Sequence, residues 1–297
     1  RKSYYQLLKI AKLAMSSEEM ENRLREAVEA VLDANLLYVG AGAGMGVDSG
    51  LPDFRSTEGF WKAYPPVAKL KLRFEEMANP QWFAEDPEFA WGFYGHRLNL
   101  YRETMPHAGF AILRKWGDST SGGAFVYTSN VDGHFQRAGF DKHQILECHG
   151  SLNHLQCLKG CGEEIWSAEH CMVEVDEDTL RAAHPLPSCP TCEELARPNV
   201  LMFSDWGWDS SRTRGQQERH QQWLIQHADR KMAVIEIGAG KAVPTVRMNC
   251  EAMAAETGGK LIRINIRDSE IPRGNVSLPI GGLEALQRID AMLEEMR

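Results

Sequence analysis

The sequence predicts an α/β fold, a doubly wound and mostly parallel sheet with a small cysteine-bearing insert. Three observations predict it. Short apolar runs at residues 36–39, 125–128, 145–147, 232–237 and 261–265 alternate with segments of helical periodicity. That is the pattern of βα units whose strands are covered on both faces. The first run opens into residues 40–56, GAGAGMGVDSGLPDFRS, where small side chains let backbone N–H groups close on a pyrophosphate ahead of a helix N-terminus. Two close cysteine pairs, Cys157 with Cys161 and Cys189 with Cys192, interrupt the alternation after the third run.

Taken in order, residues 1–30 read as an N-terminal helical extension. Leu24, Val28, Val31 and Leu32 recur at helical spacing, and Ser16-Ser17 ahead of Glu18-Glu19 supplies a cap and an acidic first turn. Residues 31–150 and 197–297 form the Rossmann-like domain, and 151–196 the metal-binding module. Within the first of these, 57–104 is a helical and cofactor-loop part, with Gly59-Phe60-Trp61 and Pro65-Pro66 breaking the pattern into a loop. Asp86-Pro87 starts a helix, Asp as cap and Pro at the first position. Phe89, Phe93 and Leu98 supply its apolar face, and Tyr94 and Arg97, three apart, project as neighbours. The polar residues 129–134 follow the second strand, where an open α/β sheet places its ligand. The run 206–222, polar with two tryptophans, reads as a long loop, and 283–292 as a closing amphipathic helix.

Four thiolates in two chelating pairs make a closed tetrahedral zinc site, structural because no coordination position is left for water. It is expected to lie remote from any chemistry. Cys171 and His184 fall in the same insert as competing ligands, and a rubredoxin-like iron site uses the same donors. Seven cysteines in all suit a reducing cytoplasm with a metal better than a disulfide framework. A net charge of -8 without clustered Lys and Arg argues against nucleic acid as a partner. No stretch is apolar long enough to cross a membrane. The opening Arg1-Lys2-Ser3-Tyr4-Tyr5 has no signal-peptide core. A cytoplasmic enzyme is the expectation.

Gly42-Ala43-Gly44, Ser49-Gly50 and Pro52-Asp53-Phe54-Arg55-Ser56 carry a family resemblance. They resemble the first motif of the sirtuins, NAD-dependent protein deacylases, which is GAG followed by SGIPDFRS. Gly46 stands where a serine is usual. The resemblance continues in Ser129-Asn130-Val131-Asp132, close to TQNID with Ser for Gln, and in Cys148-His149-Gly150, close to LHG. Residues 197–205 resemble RPxVVxFGE with Ser204-Asp205 for Gly-Glu. Gly238-Ala239-Gly240 stands for Gly-Thr-Ser, and Asn265 for the family's IN. The likeness covers about residues 31–290 with the order intact.

The resemblance implies a role for each matched position. NAD, the co-substrate, would be bound by Gly42, Ala43, Gly44, Asp53, Phe54, Arg55, Asn130, Asp132, Gly238, Gly240 and Asn265. His149 would be the catalytic base that takes a proton from a ribose hydroxyl, with Asn130 beside it. Val200 and Phe203 would lie on the strand that pairs with a protein substrate carrying acylated lysine. Tyr94 and Arg97 resemble the Tyr-x-x-Arg of the desuccinylase type, in which phenol and guanidinium bind a succinyl or malonyl carboxylate. A mono-ADP-ribosyltransferase of the same family is the alternative, and an NAD sensor a third reading. A hydride-transfer dehydrogenase is disfavoured, because G-x-G-x-x-G with an acidic residue about 20 positions later is not cleanly present. His134, His143 and His154 match no catalytic position and are expected to face solvent or to be hydrogen-bonded.

Overall fold

The structure, a computed structural model, describes residues 16–52 and 57–296. Its strands are β1 (Leu36–Ala41), β2 (Ala124–Thr128), β3 (Ile145–Glu147), β4 (Gly150–Cys157), β5 (Trp166–Ser167), β6 (Val175–Asp176), β7 (Arg181–Ala182), β8 (Ala196–Val200), β9 (Met232–Ile237), β10 (Lys260–Ile264) and β11 (Val276–Leu278). Six make one parallel sheet in the order β11-β10-β9-β1-β2-β3. Chain order runs outward in both directions from β1, so the crevice beside β1 is a topological switch point. All six residues of β1 are buried. Leu37 and Val39 enter one core with Leu24, Phe110, Trp116 and Ile289, while Leu36 and Tyr38 enter the other with Phe125, Trp223 and Cys250. Strands covered on both faces are mostly apolar, which is why these runs were legible; the exceptions inside β9 and β10, Glu236 and Arg263, are fully buried and pair with each other at 2.6 Å.

The first described helix packs into the sheet's core. It spans Ser17–Leu32, with the Ser16 hydroxyl accepting from Glu19 N at 3.0 Å, and buries Leu24, Ala27, Val28 and Val31 in the same core as β1. An amphipathic stripe of that width needs a partner, and the sheet together with helix Gly282–Glu295 supplies it. The part of the predicted extension before residue 16 lies outside the described residues.

Residues 206–222 do not form a loop throughout, because Ser211–Gln226 is a helix. Its buried positions are Thr213, Gln216, His220 and Trp223, spaced 3, 4 and 3 apart. Three of the four are polar, so no apolar period marks it. His220 lays its ring against Tyr38 and Phe125, but for Thr213 and Gln216 the partner is backbone: β3 is an edge strand, and its Glu147 N–H donates to Gln216 Oε1 at 3.0 Å while Thr213 Oγ1 donates to Glu147 O at 3.3 Å. Side-chain amide and hydroxyl close the edge as another strand would.

The loop expected around residues 59–66 is likewise helical, Thr57–Ala63 and Pro65–Lys69, the latter with proline in its first turn. Phe60 is fully buried there, with its ring edge-on to Phe74 and Phe93. These helices do not share the sheet's core. Phe60, Phe93, Tyr94 and Leu98 pack with Leu155, Val173, Leu180 and Ala182 of the insert in a second core. The insert carries β5, β4 and the hairpin β6–β7, and its sheet β5-β4-β8 is completed by β8, so residues 197–200 pair with the insert and not with the parallel sheet to which the chain was expected to return there. The hairpin lies so close to helix Pro87–Glu103 that a Cβ on Gly92 would come 2.0 Å from Leu180 O, and one on Gly95 2.4 Å from Val173 Cγ1. Asn99 Nδ2 to Val173 O at 2.9 Å and Arg181 Nη2 to Asp86 Oδ2 at 2.7 Å complete the seam. The helix itself starts as predicted, Asp86 accepting from Phe89 N at 3.2 Å and Pro87 leading.

Candidate functional site

The parallel register aligns the carboxyl ends of the strands. Ala41 is opposite Thr128 and Ile237, Thr128 is opposite Glu147, and Ile237 is opposite Ile264. Gly42, Asn130, His149, Gly238 and Asn265 are each the first or second residue beyond those ends, so register alone collects them along one rim.

At the centre the loops after β1 and β9 touch backbone to backbone. A Cβ on Gly42 would lie 2.7 Å from Ala239 Cα, and one on Gly238, at φ +64°, 2.5 Å from Gly44 Cα. Gly44 N donates to Gly238 O at 3.1 Å. The first task of these glycines is therefore contact between loops. Gly240 differs, since its nearest neighbour in that direction is Asp268 Oδ2 at 3.8 Å. Ala43, directly after Gly42, is exposed. Asn265 is buried with both ends of its amide used, Nδ2 on Ala239 O at 2.7 Å and Oδ1 accepting from Arg267 N and Asp268 N. It shapes the loop that follows β10. Asp53, Phe54 and Arg55 lie outside the described residues.

Asn130 is oriented from two sides. Its N–H donates to Thr128 Oγ1 and its Nδ2 to Gly42 O, both at 3.0 Å, tying the loop after β2 to the loop after β1. Asp132 is buried and accepts from His134 N at 2.9 Å. Burial raises its carboxyl pKa, opposed first by His134 and, more weakly, by Arg97. His149 is half-buried, and burial lowers its pKa below the ordinary histidine value. A neutral imidazole accepts a proton, the state a general base needs near pH 7. Cys148 beside it is no rival nucleophile, because burial pushes its thiol up to about 12.

The other histidines divide. His143 is exposed, as expected. His154 is half-buried and driven down to about 4 by burial, then by Arg212. His134 corrects the expectation. It is fully buried, neither ring nitrogen has a partner among the described residues, and its ring stands edge-on to Phe110 at 5.8 Å.

Tyr94 and Arg97 converge as their spacing requires. Arg97 Cζ lies 5.8 Å from the Tyr94 ring centroid and 5.3 to 5.8 Å from those of Phe74, Phe93 and Tyr101. Its Nη2 donates to Tyr101 OH at 2.8 Å. The Tyr94 hydroxyl is buried and has no hydrogen-bond partner among the described residues, and burial raises its pKa to about 12, so it remains a donor. Val200 ends β8 opposite Gly150. Phe203 N donates to Ala78 O at 2.9 Å, and its ring meets Phe74, which in turn faces Arg97.

The loop after β8 hangs on an ion pair that sequence reading missed. Arg197 and Asp205, with side chains 2% and 0% exposed, bond in bidentate fashion, and Asp205 also accepts from Met202 N and Gly207 N at 3.2 Å. The available signal was the acid itself, since Asp205 stands one position from a strained residue. Ser204 holds φ +56°, the left-handed region that glycine, usual in the resembling motif, enters without cost. Ser204→Gly is expected to raise stability by about 1 kcal/mol. A urea midpoint that stays level or falls at constant slope would sink that account.

The Cys157, Cys161, Cys189 and Cys192 sulfurs all lie within 4.8 Å of one another, with Cys157–Cys192 and Cys161–Cys189 at 3.6 Å. Ligands about 2.3 Å from zinc in a tetrahedron stand about 3.8 Å apart, so the cluster fits that ion. Neither Cys171 nor His184 belongs to the group. His184 instead meets Glu88 at 3.1 Å.

The Sir2 family model matches residues 42–226. The chain belongs to the Sir2 family. Among its relatives, an NAD-dependent protein deacylase of Thermus thermophilus is 29% identical over 268 residues, 89% of this chain and 92% of that one. The NAD-dependent protein deacylase 1 of Archaeoglobus fulgidus is 29% identical over 241 residues, 80% and 84% of the two chains. A solved Sir2 homologue in complex with NAD superposes with a TM-score of 0.66 at 23% identity, covering 92% of this chain and 94% of that one. Sir2Tm bound to a propionylated peptide gives 0.62 at 20%, covering 91% and 98%. These structures establish the Sir2 fold, and the sirtuin expectation drawn from the motifs stands. No helix among the described residues is long and apolar enough to cross a membrane.

Proposed function

We propose that this Sir2-family chain is an NAD-dependent protein-lysine deacylase whose active site is the rim formed by Gly42, Asn130, Asp132 and His149. The observation that carries the reading is a neutral, half-buried His149 at the carboxyl end of the parallel sheet, with Asn130 fixed on Gly42 O beside the switch point. NAD, when bound, supplies an ADP-ribosyl acceptor for the acyl group once nicotinamide leaves. His149 then takes the proton of a ribose hydroxyl, and water releases lysine and O-acyl-ADP-ribose. Gly240 and Ala43 offer open backbone for the phosphates. The names of the relatives support the same activity, and four cysteines gathered for a metal suit a reducing cytoplasm.

The acyl group in this reading is acidic. A guanidinium enclosed by four aromatic rings, next to a buried phenol that lacks an acceptor, suits the carboxylate of a succinyl or malonyl chain. The protein substrate would lie along β8, entering past Val200 and Phe203 towards Phe74 and Arg97. Mass spectrometry of NAD products over acetyl, malonyl and succinyl peptides tests the activity. O-acyl-ADP-ribose is expected, whereas ADP-ribosylated protein or intact NAD would overturn it. Arg97→Met is expected to lose succinyl-lysine turnover about 10- to 100-fold, since a charged hydrogen bond contributes roughly 1.5–3 kcal/mol, with acetyl-lysine turnover level or higher. An unchanged ratio of kcat/KM for the two peptides would remove the acidic-acyl assignment.

A further inference from the structure

Glu147 ends β3 two residues before His149, and it is only 1% exposed. Helix Ser211–Gln226 answers it group by group. Arg212 Nη2 bonds Glu147 Oε2, and Gln216 Nε2 approaches the same oxygen at 3.4 Å. Gln216 Oε1 accepts from Glu147 N at 3.0 Å, and Thr213 Oγ1 donates to Glu147 O at 3.3 Å. Beyond Glu147 the chain is held by other elements: Cys148 N donates to Thr128 O at 2.9 Å, and Leu201 N donates to His149 O at 3.0 Å. The segment that carries the imidazole is thus fixed by the sheet, by the chain after β8 and by the helix. Of these, only the helix reaches it through a charge.

We propose that Arg212 and Gln216 are positioning residues for His149, acting through Glu147. This rests on the reading of His149 as the base. A buried carboxylate that loses its cation must move towards water or draw water in, and Cys148, the single residue between Glu147 and His149, is too short a spacer to absorb that shift. Displacing a reacting group by about 1 Å can lower the rate up to roughly 100-fold. Binding of NAD and loss of nicotinamide precede the proton transfer, so neither depends on the imidazole's position.

The test compares two rates in the full chain, succinyl- and acetyl-peptide deacylation and the exchange of labelled nicotinamide into NAD. Arg212→Met is expected to lower kcat for deacylation about 10- to 100-fold, leaving KM for NAD and the exchange rate unchanged. Arg212→Lys should restore part of the loss. The double variant Glu147→Gln with Arg212→Met, which removes the charge as well as its partner, should exceed Arg212→Met alone. Gln216→Leu carries the test if Arg212→Met fails to fold. Equal loss of exchange and deacylation, or no loss of either, would overturn the proposal. His149→Ala, run beside them, separates the two failures. If it separates exchange from deacylation and the helix variants do not, the positioning role falls and the base stands. If it leaves deacylation intact, the base assignment falls and the positioning role with it.

Discussion

Deacylation by the His149→Ala protein is expected to fall by about two to four orders of magnitude, the range general-base catalysis contributes, while the protein folds and still binds NAD. The fold should tolerate the change. What holds this segment beyond Glu147 is backbone, Cys148 N on Thr128 O of the sheet and His149 O accepting from Leu201 N of the chain after β8, and the imidazole is not among those contacts. The pH dependence gives a second reading of the same group. Burial lowers the His149 pKa from its ordinary 6.5. A base works when deprotonated, so wild-type turnover should hold through neutral pH and be lost only as pH falls through that lowered value. The residual rate of His149→Ala should lack this acid limb. Turnover of an acyl peptide near the wild-type rate would take His149 out of the mechanism.

Removal of zinc should be nearly as damaging, and for a reason the cysteine spacing does not show. One zinc per chain is expected by elemental analysis, and structural zinc sites contribute about 10–16 kcal/mol to folding of the segments they close. From spacing alone the site looks remote, so that chelation would unfold the insert before any chemical step suffered. The second core changes that outcome. Val173 and Leu180 of the insert pack with Phe93 and Tyr94 of helix Pro87–Glu103, the same helix that carries Arg97. Chelation or Cys189→Ser should therefore lower acyl-peptide turnover in step with zinc content, the acidic-acyl preference disappearing with it. Gly92→Ala tests the seam without touching the metal, since its methyl group would overlap Leu180 O. It should reproduce the loss of turnover at full zinc occupancy. A zinc-free protein of undiminished activity, or iron in place of zinc, would sink this account.

Much of the fold was readable because its rules are local. A parallel strand buried on both faces is mostly apolar, with a charge admitted only where another answers it as Arg263 answers Glu236, so five of the six sheet strands announce themselves, and only β11, three residues long, does not. Cysteine pairs separated by three and two residues state a chelate directly. The candidate site residues came from the resemblance alone, and strand register then collects Gly42, Asn130 and His149 just beyond the strand ends. What escaped were contacts between elements. Helix Ser211–Gln226 buries Thr213 and Gln216 because they meet the backbone of an edge strand, and that β3 lies at an edge is a property of sheet order.

The sequence by itself determined where five of the six parallel strands lie, that four cysteines can enclose a metal, and that Tyr94 and Arg97 share a helix face. Periodicity, chelate spacing and helical geometry operate over a few residues and need no knowledge of neighbours. Only the tertiary structure decided which core each helix joins, that the Tyr94 hydroxyl is left without an acceptor beside a ring-enclosed guanidinium, and that Glu147 is answered by Arg212. Those outcomes depend on which surfaces exclude water when distant segments meet. Desolvation turns an ordinary phenol or carboxylate into a group that must be matched.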